Sequence, residues 1–222
     1  MAFVRQAEPK DHDAMAHICR VTLAPSLVPS EPANRLCAYL WTHQYRVLSP
    51  STCWVLDDGN GTAVGYCIGC PDVDDFVTRY DKFVTEILDP SPDIKRPDDL
   101  TTRAPWIDPA TGEINETALA QQAYNPKWLV IDGNEEVMKA GYTATMHIDI
   151  LPEWQGKGWG RVLIEKLFES VKAEPFEGRR GLCLGIAGDN AKVVKFYERM
   201  GLRLWPKDGW KPGDGIKMVK DL

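Results

Sequence analysis

A chain of 222 residues is long enough to bury one well-formed core, with room for an insertion, and two independent domains are less expected. Its 26 lysines and arginines against 32 aspartates and glutamates leave a formal charge of −6, and without a long basic run that balance argues against nucleic-acid binding while allowing a small basic partner. No apolar stretch approaches a membrane span and the first residues lack a secretory apolar segment, so a soluble cytoplasmic protein is expected, with the nucleus left open.

In chain order, Phe3-Val4-Arg5 reads as a strand, and Pro9 and Asp11 open a helix whose apolar side includes Met15, Ile18 and Cys19. Pro25 and Pro29 break it. Glu31-Pro32 starts a second helix carrying Leu36, Tyr39, Leu40 and Tyr45, which Ser49-Pro50 stops. Residues 53–56 and 63–70 read as strands joined through Asp57-Asp58-Gly59-Asn60-Gly61, a hairpin signal. A long segment follows, at about 71–142. Within it Phe76, Tyr80, Phe83, Val84 and Ile87 have helical spacing, Pro90, Pro92, Pro97, Pro105 and Pro109 mark a loop-rich stretch, and a short helix is expected near 114–123. Insertions of this length serve as lids or binding loops, or are plain flaps, and both readings stand.

Six cysteines are present. Cys19, Cys37, Cys53 and Cys183 fall in apolar patterns and read as core. Cys67-Ile68-Gly69-Cys70 is the one CxxC, but positions three apart on a strand face opposite ways and no second pair completes a zinc site, so no metal is expected.

Met146, Ile148 and Ile150 then alternate with His147 and Asp149 in the period of a strand that Pro152 ends. Leu163, Ile164, Leu167, Phe168 and Val171 recur at three- and four-residue steps, an amphipathic helix over 162–173. Between them lies Gln155-Gly156-Lys157-Gly158-Trp159-Gly160-Arg161. Glycines at a strand-to-helix junction can take positive φ and admit a ligand to the backbone. The free N–H groups of the helix point outward there with the positive end of its dipole, which suits phosphate. Lys157 and Arg161 add positive charge beside it, or are ordinary solvated side chains. A Walker loop needs Gly-Lys-Ser/Thr where Gly160-Arg161-Val162 stands, and a dinucleotide fingerprint needs G-x-G-x-x-G where this loop reads G-x-G-x-G.

Further on, 181–187 reads as a strand, Gly188-Asp189-Asn190 as a turn and helix cap, and 191–200 as a helix closed by Gly201. Residues 202–205 and 216–219 are closing strands, with Lys207-Asp208-Gly209 and Pro212-Gly213-Asp214-Gly215 as turns. Trp205 and Trp210 either line a substrate mouth or pack as core or rim.

The run from Gln155 to Gly160 resembles the Q/R-x-x-G-x-G/A pyrophosphate loop of the GNAT superfamily of N-acetyltransferases. Asn190 with Phe196-Tyr197-Glu198-Arg199-Met200-Gly201-Leu202 resembles the N-x-x-A-x-x-F-Y-x-x-x-G-F segment of the same superfamily. This resemblance implies an α/β (α+β) GNAT fold, a mixed, mostly antiparallel central sheet flanked by helices, with the long insertion at about 71–142 ahead of the central strand, in a single domain over 1–222. It also implies acetyl-CoA as cofactor, its diphosphate held by Gln155, Gly156, Lys157, Gly158, Trp159, Gly160 and Arg161, its pantetheine paired with the main chain of Ile148 and Ile150 and touched by Asn190. A narrower resemblance rests on Gly65-Tyr66-Cys67-Ile68-Gly69 with Asp72, the insertion, Gly141-Tyr142, the segment from Met146 to Pro152, and the end from Gly209 to Leu222. These look like the acetyltransferase-like carboxyl-terminal domain of O-GlcNAcase and its free-standing microbial relatives. In the animal O-GlcNAcase the loop is degenerate, whereas here it is intact, so cofactor binding is expected; no glycosidase domain is present and that activity is not implied.

Acetyl transfer to an amine needs a base, donors for the developing oxyanion and a proton for the thiolate. Asp149 is favoured as base, with His147 on the same strand face; each can instead be a plain structural hydrogen-bonder. Tyr197 stands where the superfamily commonly has the tyrosine that protonates the thiolate, and the Ile150 N–H is the expected oxyanion donor. The acceptor is a small-molecule primary amine, an amino sugar by association with the O-GlcNAcase group, with a protein lysine as alternative and a non-catalytic acyl-CoA-binding module as the rival reading. Oligomeric state stays open, a homodimer included.

Overall fold

The computed structural model describes residues 1–174, 176–206 and 215–222. The expected turns at 207–209 and 212–214, and Trp210, lie outside the described residues.

Strands β1 (Phe3–Gln6), β2 (Cys53–Asp57), β3 (Ala63–Ile68), β4 (Ala144–Thr145), β5 (His147–Ile150), β6 (Gly181–Ile186), β7 (Arg203–Leu204) and β8 (Ile216–Asp221) form two four-stranded sheets, ordered β1-β2-β3-β5 and β4-β6-β8-β7. Every pairing is antiparallel except that of β4 with β6. Helix α1 (His12–Val21) and helix α2 (Glu31–Trp41) pack on one face of the first sheet and α8 (Trp159–Ala173) on the other. The buried residues of α8 are Leu163, Ile164, Leu167, Phe168 and Val171, the stripe its sequence period marks, and Trp54 of β2 donates to Ser170 on this helix at 3.2 Å.

The second expected helix is two. Ser30 caps α2 by accepting from the Ala33 N–H, but the helix stops at Thr42, whose φ of −135° and ψ of −59° break the ladder before α3 (His43–Leu48). Thr42 is fully buried, with its hydroxyl 3.3 Å from that of Tyr66.

The insertion is core rather than flap. Asp72 caps α4 (Val73–Thr78), which leads through α5 (Tyr80–Phe83) into a π-turn at Val84–Leu88. The π-turn's extra residue buries Leu88 in place of the expected Ile87. Phe76, Tyr80, Phe83 and Leu88 pack in the same cluster as β2, β3 and α8, and the Tyr80 hydroxyl donates to the Ala123 carbonyl of α6 (Glu116–Tyr124) at 2.9 Å. A second π-turn at Lys127–Ile131 and α7 (Glu135–Lys139) complete it; sequence periodicity marked neither. The final short helix, α9 (Val194–Arg199), follows a 3-10 turn. Among the described residues no helix is long and apolar enough to cross a membrane, and all six cysteines are buried and free.

His43 at the start of α3 is 3% exposed and stacks on His12 of α1, ring centroids 3.7 Å apart. Burial, with the neighbouring His12, Arg46 and Arg20, pushes its pKa down to about 3. Between that value and 6.5 the unfolded chain binds a proton that the folded chain refuses, so this contribution is intact above pH 6.5 and is lost as pH falls. Urea unfolding at neutral pH and near pH 5 is expected to differ by about 2 kcal/mol from this group, and His43→Gln should remove that share of the acid loss.

Candidate active site

The site grows from one irregularity. The chain from Ala144 to Ile150 begins as a strand of the second sheet, where Ala144 and Thr145 align with Leu182 and Cys183, and continues as a strand of the first, where His147 to Ile150 align with Ile68 to Gly65. Gly69 allows the crossing, since a Cβ there would overlap the Thr145 carbonyl oxygen. Beyond Thr145 and Cys183 the two strands diverge.

Ladder alternation then sets which groups are free. The N–H of Thr145 reaches the Cys70 carbonyl and that of Leu151 the Val64 carbonyl, each at 3.0 Å, so odd-numbered amides of this stretch point toward β3. Those of Ile148 and Ile150 point the other way, into the wedge between β5 and β6. The Ile150 carbonyl on that edge accepts from the Gln155 side chain at 2.7 Å, which ties the following turn to the end of the strand. Gln155 thus orders the turn.

In that turn Gly156 and Gly158 take φ of +72° and +88°, and a Cβ on either would meet open space. The backbone N–H groups of Gly156, Lys157, Gly158, Trp159 and Gly160 find no acceptor among the described residues. They gather at the start of the 15-residue α8, where the helix dipole adds positive potential. This arrangement fits an anionic group bound through main-chain donors. Gly160 is helical, and its lack of a side chain serves packing: a Cβ would lie 3.0 Å from Cζ of Phe196 on α9. Lys157 lies 5.1 Å over the Trp154 ring, the Trp159 ring packs on the core, and Arg161 pairs with Glu165 at 2.7 Å along the helix surface.

The α1 and α2 side of β5 carries the ionisable groups. Asp149 stands directly across from Tyr66 of β3, and its Oδ2 accepts from the Tyr66 hydroxyl at 2.6 Å. His147 Nε2 lies 2.9 Å from the same oxygen, and its side chain is 37% exposed against 17% for Asp149. Burial works to lower the imidazole's pKa, but the Asp149 carboxylate outweighs it and holds it above the ordinary value. Tyr66 is fully buried, and burial together with the Asp149 charge drives its pKa well up, so it remains a proton donor. Tyr197, half-buried on α9, has no hydrogen-bond partner for its phenol among the described residues, and burial, then Cys67 and Asp149, raise its pKa.

A cleft of about 1260 Å³ is lined by Gly185 of β6, Lys217 of β8, Leu204 of β7, Trp205 and Val194, together with Asp132, Glu135 and Glu136 of the insertion. Trp205 both lines this cleft and packs edge-on against Tyr142 at 5.7 Å.

A model of the Acetyltransferase (GNAT) family matches residues 18–202. The chain belongs to this family. Its fold agrees with that of the crystal structure of SsHAT, with a TM-score of 0.74 and 26% identity over 99% of this chain and 98% of that one. PH1933 from Pyrococcus horikoshii OT3 shares the fold at a TM-score of 0.56 and 11% identity, over 100% and 99% of the chains. A GNAT superfamily phosphinothricin acetyltransferase from Sinorhizobium meliloti, crystallised in complex with AcCoA, does so at 0.50 and 16% identity, over 100% and 88%. None of these matches bears on the narrower resemblance to the O-GlcNAcase group.

Within this GNAT frame two expectations need correction. Asn190 does not cap a helix: it sits inside the 3-10 turn Gly188–Val193 with φ of −113° and ψ of 24°, and α9 starts only at Val194. The junction pattern reads Gly160, like Gly156 and Gly158, as free for positive φ, yet it is an ordinary helical residue. One neighbour was missed. Nothing in the pattern around Tyr66 marks its hydroxyl; only the register of β3 on β5 brings it to Asp149.

Alanine at position 158 must hold φ near +88°, so Gly158→Ala is expected to cost about 1–2 kcal/mol of stability, read by chemical denaturation.

Proposed function

We propose that the protein transfers acetyl from acetyl-CoA to the primary amine of a small molecule, an amino sugar or a similar compound. The observation that carries this reading is the row of amides from Gly156 to Gly160, without acceptors among the described residues, that continues the open edge of β5. A diphosphate suits the first and an extended amide-bearing arm suits the second, which could add to the edge as a further strand would. The relative from Sinorhizobium meliloti holds AcCoA on the same fold. Acetyl-CoA supplies an acetyl thioester, reactive toward an uncharged amine.

The chain's own groups then have separate tasks. The N–H groups of Ile148 and Ile150 face the wedge, and that of Ile150 is placed to donate to a carbonyl oxygen gaining negative charge. The Tyr197 phenol, protonated at working pH and without a hydrogen-bond partner among the described residues, is the donor for a departing thiolate. His147 and Asp149 remove a proton from the acceptor on the opposite side of the strand. The insertion shares its core with β2, β3 and α8, which supports reading the 222 residues as one acetyltransferase domain.

Acetyl-CoA should raise the melting temperature of the wild-type protein and not that of Gly158→Asp, whose carboxylate would occupy the anion cradle. A wild type that gains no stability would sink the proposal. Thiol release across a panel of amino sugars, polyamines and lysine peptides identifies the acceptor. Tyr197→Phe is expected to slow release roughly 100-fold while acetyl-CoA still stabilises the variant.

A further inference from the structure

Resting on acetyl transfer to an amine as proposed above, we propose that His147, through Nδ1, is the group that takes the acceptor's proton, that Asp149 sets which ring nitrogen carries hydrogen, and that Tyr66 is a positioning residue that locks Asp149. This reverses the ranking of Asp149 over His147 that the sequence invites.

The hydrogen count at Asp149 Oδ2 leads there. Tyr66 has no exposed surface, so its O–H must be spent inside the protein, and the acceptors within reach are Asp149 Oδ2 at 2.6 Å and Thr42 Oγ1 at 3.3 Å. The shorter contact to the carboxylate takes it. An ionised carboxylate only accepts, so the 2.9 Å contact from His147 Nε2 to the same oxygen requires hydrogen on Nε2. In the neutral ring Nδ1 therefore holds the lone pair, and no described residue donates to it. Both lone-pair positions of Oδ2 are committed, which leaves only Oδ1 of the less exposed carboxylate to compete with Nδ1 for the proton. The imidazole is also the outer member, 37% exposed against 17%, with the Tyr66 ring 5.8 Å from its own.

In the proton transfer one N–H bond of the acceptor's ammonium breaks and its electron pair stays on the amine nitrogen. The proton joins Nδ1, giving an imidazolium that Asp149 stabilises across the existing Nε2–H contact. The charged or titratable groups that act on His147 are Asp149 on its own strand and Cys19 of α1, besides Tyr66 on β3; carboxylate and thiol both favour the cation.

Ring ¹⁵N shifts of His147 in the ligand-free wild type test the tautomer directly. The expected result is the Nε2–H form at alkaline pH, titrating above the ordinary histidine value, and an Asp149→Asn variant titrating below it because burial, the largest influence on the ring, then outweighs what remains. Tyr66→Phe, checked by thermal melting to be folded, should give a mixture of tautomers and a kcat about tenfold lower, the size expected for one lost hydrogen bond to a charged group, with the KM for acetyl-CoA unchanged. His147→Gln should lower kcat at least ~100-fold and remove the acid limb of the pH profile. An Nδ1–H tautomer in the wild type, or His147→Gln turning over within about threefold of it, overturns the assignment. Failure of the transferase reading looks different: the wild type itself then releases no thiol with any amine.

Discussion

A strand cannot pair fully with two sheets that splay apart, and the chain from Ala144 to Ile150 is asked to do so. It serves the second sheet for two residues and the first for four, which leaves the amides of Ile148 and Ile150 with no strand to meet among the described residues. Unpaired backbone donors are costly when buried and, when exposed along an edge, invite aggregation. The edge is kept short, recessed in a wedge and half-buried, with one of its carbonyls already taken by Gln155. What remains is a short open edge. The glycine turn continues that edge with more main-chain donors, so strand and turn together present one line of N–H groups that no side chain of the described residues satisfies.

The two-residue period of β5 divides labour around that line. Ile148, aligned with Cys67 and through it with Trp54, lies on the face that α8 covers; Asp149, aligned with Tyr66, lies on the face of α1 and α2. The edge amides lie between them. Four residues thus supply apolar anchorage to α8, donors along the edge and the ionisable pair on the other face. A slip of one residue would exchange the two faces. Gly65 of β3 and Gly69 at the crossing hold the register: a Cβ on Gly65 would lie 3.2 Å from the Asp149 carbonyl, and one on Gly69 would overlap that of Thr145.

Legibility from sequence followed the range of the interaction. Local patterns were sufficient where local physics decides: the apolar stripe of α8, the strands β2, β3 and β5, and the positive φ of Gly156 and Gly158. They failed where a long-range contact overrides them. Thr42 breaks what periodicity reads as one helix, beside a buried contact to Tyr66. A π-turn exchanges Ile87 for Leu88, which no spacing rule anticipates. Asn190 has the composition of a cap but sits in a 3-10 turn ahead of the helix. The ionisable residues of β5 were visible in the sequence, while the hydrogen bond that Asp149 accepts comes from a cross-strand partner that only the register reveals.

That partner also explains why the insertion bears on the site without lining its ionisable pair. Asp149 is a largely buried carboxylate, and such a charge persists only with donors fixed around it. Its inner donor, Tyr66, is itself held by Thr42 at the junction of α2 and α3. These helices are in turn braced by the insertion: α6 packs on α2, α5 on α3, and Tyr45 of α3 meets Phe76 of α4 at 5.3 Å. Arg35 of α2 pairs with Glu116 at 3.0 Å, and Tyr39 binds Ser91 and Asp93 of the loop. A long segment that sequence reads equally well as lid or flap therefore acts as a buttress. It braces the helix break that holds Tyr66, and the contact of Asp149 with His147 is the last link of that chain.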